Sequence, residues 1–351
     1  MKIYIFCDDP GAANYMSCLP QICIDKAFKI TILLTSWDLA DYFIDFSSFI
    51  KVGRTNSLLN GLRIENPKED YLLFAGTSED INFISKIINH SKTYRQLCYC
   101  FIDSSVNYEY RFSSCITTSR KHKPDFIVVP DIYTGRCFEK LGFEKQKIQL
   151  FSPWWKTDSK RENVKEIKKK WVNNNKKYQV LVASELSSGL GPNCRYQLHD
   201  GYKIFGSGKH KGRTEIVIEE ILVGLESIRS NVNLSLRPHP KQTRSSLKGL
   251  DCFFDVYLDC PRHQIELNNY DLIIGLSSTI LFEAASLNIP VLSILPAVCE
   301  RNWLGFWENH IKTVHTRSDV KAILSNPPIW GQLKNQINHN VTEEIYDQFE
   351  L

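Results

Sequence analysis

The feature that most constrains this chain is alternation: short apolar runs rich in Ile, Val, Leu and aromatic residues are separated repeatedly by stretches long enough for a helix. The runs fall at 2–7, 28–35, 71–75, 96–102, 126–129 and 148–151, and again at 178–183, 232–236, 271–274 and 291–295. Runs without a polar alternate read as strands covered on both faces, and strands joined by helices pair in parallel. At 351 residues the chain exceeds what one hydrophobic core usually organises. The fold class expected is therefore α/β, with two Rossmann-like domains facing a cleft. The boundaries expected are 1–152, a polar basic linker over 153–177, a second α/β domain over 178–335 and a helical tail over 336–351. The connection at 187–212 is long and weakly periodic, which predicts a functional or mobile loop.

Composition removes several classes. Lys and Arg number 43 against 39 Asp and Glu, a formal charge of +4, which is too balanced for an obligate nucleic-acid coat. Eleven cysteines occur without a C-x-x-C pair or histidines at zinc spacing, so they read as reduced, mostly buried small hydrophobes. The opening Met-Lys-Ile-Tyr-Ile-Phe-Cys-Asp-Asp-Pro reaches acids too early for a secretory core, and no uncharged run attains spanning length. A cytosolic location is expected. The segment 156–177 carries nine basic residues against three acidic ones and follows Trp154 and Trp155. It reads as a solvated linker or as a basic surface for anionic lipid, giving peripheral contact with the inner membrane face.

Chemistry concentrates in two places of the second half. Leu234-Ser235-Leu236 runs into Arg237-Pro238-His239-Pro240-Lys241, where two prolines hold the imidazole at the carboxyl end of a strand. Open α/β sheets bind ligands at that end, and Arg237 and Lys241 suit phosphate oxygens. Further on, Gly275-Leu276-Ser277-Ser278-Thr279 leads from a strand into a helix, which offers backbone N–H groups, hydroxyls and the positive end of a helix dipole to an anion. Hydroxyls also cap helices with no ligand present. Glu283, one turn later, suits ribose hydroxyls or simply stabilises the helix.

Together with the tail Phe-Glu-Ala-Ala-Ser-Leu-Asn-Ile-Pro-Val, these motifs resemble the nucleotide-binding domain of GT-B glycosyltransferases over roughly 178–300. The pairing of an HP with an SS motif is similar to bacterial sialyl-, polysialyl- and Kdo-transferases, which use CMP-sugars, and to CDP-glycerol transferases. The resemblance implies that His239, Ser277 and Ser278 meet the donor phosphate, with His239 assisting the leaving group. It makes the second domain the donor side and the first the acceptor side. Those sialyltransferases carry an acid-acid-Gly motif whose carboxylate deprotonates the acceptor hydroxyl. Asp103-Ser104-Ser105 resembles it with one acid kept and the glycine replaced. Asp8-Asp9-Pro10-Gly11 is closer in letters but follows the first strand and ranks second. Asp103 alternatively reads as a turn residue.

Two weaker candidates for the cleft are Ser184-Glu185, which would cover donor phosphates, and Thr77, which would touch acceptor or cap a helix. The activity implied is metal-independent, inverting transfer of a sugar or polyol phosphate from a CMP- or CDP-linked donor to a hydroxyl of a glycan or lipid-linked glycan of a bacterial surface polysaccharide. No cofactor, metal or nucleic-acid partner is expected, since helix N-termini, histidine and cations can neutralise a departing phosphate. The alternatives are a relative of UDP-N-acetylglucosamine 2-epimerase, or a GT-B-shaped subunit that binds without turnover.

Overall fold

The computed structural model describes residues 1–43, 46, 49–52, 70–77, 81–113, 120–151, 177–187, 200–247, 249–260, 264–333 and 347–349. The chain divides into two compact units, Met1–Trp154 with Thr342–Leu351, and Trp155–Val341. Each is an α/β unit built on a parallel sheet, the two-unit Rossmann-like architecture expected for a GT-B chain. The basic stretch lies outside the described residues except for Lys177, as do 188–199 of the long connection.

The first unit holds β1 (Lys2–Cys7), α1 (Pro10–Met16), α2 (Leu19–Asp25), β2 (Lys29–Leu34), β3 (Phe49–Lys51), β4 (Tyr71–Gly76), α3 (Ile81–Tyr94), β5 (Leu97–Phe101), β6 (Phe126–Val129), α4 (Ile132–Lys140) and β7 (Ile148–Leu150). Its sheet runs β7-β6-β5-β4-β1-β2-β3, all parallel, and the C-terminal strand Asp347–Gln348 extends it beside β7. Successive residues of one strand feed two cores. Tyr4 and Phe6 pack with Leu73 and Cys98 on one face, while Ile3, Ile5 and Cys7 pack with Phe74 and Phe101 on the other. Burial on both faces is why these strands carry no polar alternate. Five of the nine described cysteines are buried, as befits small hydrophobes in such cores.

After β1 the chain forms two short helices, α1 and α2, because Pro20 has no N–H to continue the first helix and its ring blocks the preceding turn. One expectation changes here. The tail expected as helix over 336–351 is, where described, a strand whose neighbour Phe349 packs edge-on against Phe74, Phe101 and Phe151. An open sheet edge and an apolar hollow outweigh helical propensity there.

The second unit contains β8 (Tyr178–Ala183), α5 (Arg213–Leu225), β9 (Val232–Arg237), β10 (Val256–Tyr257), β11 (Leu272–Gly275), α6 (Thr279–Ser286), β12 (Val291–Ile294), β13 (Lys312–Val314) and α7 (Arg317–Leu324). The order is β10-β9-β8-β11-β12-β13, again all parallel. The chain leaves β8 toward β9 and β10 on one side and returns to β11 on the other, so the topology reverses between β8 and β11. That is where an open α/β sheet leaves a crevice. Gly275 closes the floor of this corner: a Cβ there would stand 3.2 Å from the Ala183 carbonyl oxygen and 3.2 Å from Leu281.

The described part of the long connection, 200–212, is anchored rather than loose. Tyr202 bridges to Ala297, the Lys203 N–H donates to the Pro296 carbonyl at 2.7 Å, and Glu219 receives Ser207 Oγ and His210 Nδ1, each at 2.6 Å. No helix among the described residues is long and apolar enough to cross a membrane.

Candidate functional site

At the carboxyl end of β9 the two prolines turn the chain, and His239 is half-buried on that turn. Its N–H donates to Ser184 Oγ and Gln242 Oε1, both at 3.3 Å, and Ser184 Oγ itself donates to Gln242 Oε1. The Lys241 N–H donates to His239 Nδ1 at 3.1 Å. A backbone N–H can only donate, so Nδ1 is the acceptor and the ring proton sits on Nε2, as a donor. Arg237, one residue before the turn, is buried, and the Ser184 N–H donates to its carbonyl at 2.9 Å. Ser184 thus ties the end of β8 to the histidine turn.

On the other side of β8, after β11, begins α6. Ser278 is its N-cap residue in extended conformation, yet its hydroxyl makes no capping bond. The leading N–H groups of the helix therefore lack a side-chain cap, and Ser278 and Thr279 are half-buried. Ser277 is arranged differently from the expected phosphate ligand. Its N–H donates to Glu185 Oε1 at 2.6 Å, and its hydroxyl lies 3.2–3.3 Å from both Glu185 oxygens. Glu283 is buried within the helix face, away from bulk water.

Glu185 is the hub of this corner. Its second oxygen accepts from Arg213 Nη1, and its carbonyl accepts from Thr214 Oγ1 at 2.7 Å. Arg213 is fully buried, lies 3.1 Å through Nε from Glu300 Oε1, and rests 4.9 Å from the Trp303 ring centroid. Burial alone would pull the Arg213 pKa down, but the Glu300 and Glu185 carboxylates outweigh it and hold it up. Burial pushes the Glu300 carboxyl up, against the pull of Arg213. Of the Ser184-Glu185 pair expected near donor phosphates, Ser184 Oγ is bonded within the histidine turn and Glu185 is paired with Arg213.

In the first unit, the two rival acid motifs meet at one corner. Asp9 caps α1, accepting the Gly11 N–H at 2.8 Å. Gly11 then lies so close to Asp103 that an added Cβ would overlap Asp103 Oδ2. The missing side chain is what lets the end of β5 approach the start of α1. Asp103 Oδ1 pairs with Arg111 Nη2 at 3.1 Å, and Arg111 also donates to the Thr77 carbonyl at 3.2 Å, Ser104 Oγ at 3.2 Å and the Val106 carbonyl at 3.1 Å. Asp103 is therefore a paired carboxylate, and Ser104 bonds to Arg111. Asp8 is buried at the end of β1. Thr77 is fully buried with its hydroxyl donating to the Phe101 carbonyl at 3.0 Å, which removes it from any ligand surface.

No protein-family model matches the chain, and no curated protein matches it by sequence. Several solved structures do match in shape. A putative UDP-N-acetylglucosamine 2-epimerase from Listeria monocytogenes has a TM-score of 0.59 at 11% identity, covering 95% of this chain and 90% of that one. HepE of Anabaena, solved with UDP and glucose, gives 0.54 at 12%, covering 95% and 97%. The wall teichoic acid polymerase TagF gives 0.52 at 12%, covering 94% and 81%. These likenesses establish the fold.

Sequence reasoning missed Arg111, Arg213 and Glu300. None of the three belongs to a recognisable motif; Arg213 meets Glu185 and Glu300 from distant segments, and Arg111 folds back on Asp103 and Ser104 within one loop while also reaching the Thr77 carbonyl. Among the described residues no group of three or more His, Cys, Asp or Glu is arranged to hold a metal ion.

Proposed function

We propose that this chain is a nucleotide-sugar-dependent glycosyltransferase, moving a sugar or polyol phosphate from a CMP- or CDP-activated donor to a hydroxyl of a bacterial surface glycan or lipid-linked glycan. The observation that supports the reading is that His239, with Nε2 as donor, follows β9 and the uncapped head of α6 follows β11, on either side of β8 at the carboxyl edge of a sheet whose order reverses between β8 and β11. A donor phosphate there would receive Nε2–H, the Ser278 and Thr279 groups and the field of the helix, with Arg237 and Lys241 adding positive charge. Those donors strengthen as the leaving phosphate gains charge, which is how such a site lowers a barrier. Asp103 is the proposed acceptor base, with Asp8 and Asp9 as its rivals in the same corner. A cytoplasmic chain touching the membrane through the basic segment fits a lipid-linked acceptor.

The second reading is a 2-epimerase-like enzyme, favoured by the likeness in fold to the Listeria protein; a binding subunit without turnover is the third. Calorimetric titration with CMP, CDP and UDP, followed by chromatography of products from activated sugars with and without acceptor, separates them. His239→Ala should weaken nucleotide binding by about 1.5–3 kcal/mol, the worth of a charge-assisted hydrogen bond, with no change in melting temperature. Unchanged affinity in that variant would remove the phosphate site.

A further inference from the structure

The head of α6 is already occupied in part by an anion that belongs to the chain. Glu185 Oε1 takes the Ser277 N–H at 2.6 Å, and both of its oxygens lie within 3.3 Å of the Ser277 hydroxyl. A phosphate reaching the β8 side of the crevice would need those same donors. It would also face a negative charge that offsets the positive end of the helix.

We propose that Glu185 is a specificity-determining residue that restricts this site to one phosphate group, so that the activated sugar is carried on a nucleoside monophosphate and not on a diphosphate. The inference rests on the nucleotide-donor reading above and narrows it. The single phosphate sits between His239 Nε2 and the Ser278–Thr279 start of α6; the neighbouring space that a second phosphate would use is filled by the carboxylate.

The carboxylate cannot simply swing away. Its Oε2 pairs with Arg213, which has no exposed surface, and its own carbonyl is held by Thr214 Oγ1. Displacing Glu185 would leave a buried guanidinium facing Glu300 alone and strip one of its donors of an acceptor, a larger loss than one ligand contact recovers. On the other side of the helix head Ser278 makes no capping bond, and among the described residues no carboxylate is bonded to it.

The test is a calorimetric comparison of CMP with CDP on the full chain and on Glu185→Gln, which keeps the size and an acceptor for the Ser277 N–H but removes the charge. Wild type should bind CMP about tenfold or more tighter than CDP, a difference of about 1.4 kcal/mol. Glu185→Gln should shrink the CMP-over-CDP preference about fivefold or more, whatever the absolute affinities become. CDP binding as tightly as CMP in wild type, or an unchanged ratio in the variant, overturns the proposal while leaving the donor reading intact. Failure of both nucleotides to bind wild type overturns both together. Should Glu185→Gln not fold, competition on wild type decides: inorganic phosphate displacing CMP at lower concentration than pyrophosphate supports the proposal, and the reverse order refutes it.

Discussion

Replacing Arg213 by Leu tests whether the second unit is held together by a buried charge set and not by apolar packing alone. The change removes a guanidinium with no exposed surface that pairs with Glu185 and with Glu300 at 3.1 Å and lies over Trp303. Two carboxylates remain, and Glu300 is almost wholly inside. Breaking a buried pair by deleting one partner costs about 3–5 kcal/mol, because the remaining charge has lost its compensation. The loss should depend on pH in a fixed direction. Burial already holds the Glu300 carboxyl above its ordinary value, so the stability tied to this group is fully present below the unfolded value and is lost as pH rises through the folded one. Without Arg213 the folded value climbs further. Acidifying from about pH 7.5 to about pH 5.5 should therefore return part of the deficit relative to wild type. Unfolding of a two-unit chain is not a two-state measurement, so amide hydrogen exchange in β8, α5 and β11 is the assay. Protection within about 0.5 kcal/mol of wild type, or a deficit equal at both pH values, would refute the reasoning. Adding Glu300→Gln should restore much of the loss, since charge and counter-charge then leave together.

Asp103→Asn should cut transfer by about 10²–10⁴-fold with donor affinity unchanged, and full turnover in it alongside collapse in Asp8→Asn or Asp9→Asn would move the base to the first strand's turn. Gly11→Ala places a methyl on Asp103 Oδ2 and should destabilise the first unit by about 1–3 kcal/mol, read as weaker exchange protection in β1 and β5. Burial raises the Glu219 carboxyl, yet its bonds from Ser207 and His210 outweigh that and hold it below its ordinary value. The stability it gives segment 200–212 is accordingly present above the unfolded value and lost as pH falls through the folded one. Protection at Ser207 and His210, referred to the intrinsic exchange rate at each pH, should fall on acidification in wild type, and Glu219→Gln should abolish that dependence.

Strands β1, β4, β5, β8, β9, β11 and β12 were legible because parallel strands covered on both faces show as unbroken apolar runs. Strands β3, β10 and β13 are two or three residues long, too short to carry a period, and they exist because a neighbouring edge offers bonds. His239 was legible for a local reason: prolines on either side set its backbone, and a strand leads into it. Ser277 and Ser278 read alike in sequence, and only the structure separates them, one turned to Glu185 and the other on the open side of the helix head.

Glu185 and Asp103 show where the letters run out. In sequence Glu185 is a residue of a Gly/Ser-rich loop, and Asp103 is one of two competing acids. The fold brings Glu185 to Arg213 and Ser277, and packs Asp103 against the rival turn at Gly11 with Arg111 beside it. The sequence by itself determined what depends on neighbours within a few residues: periodicity, proline-set turns and the order of strands and helices. Only the tertiary structure decided which charges meet, because the worth of an ionised group is set by its burial and by its partner, and both are supplied by segments distant along the chain.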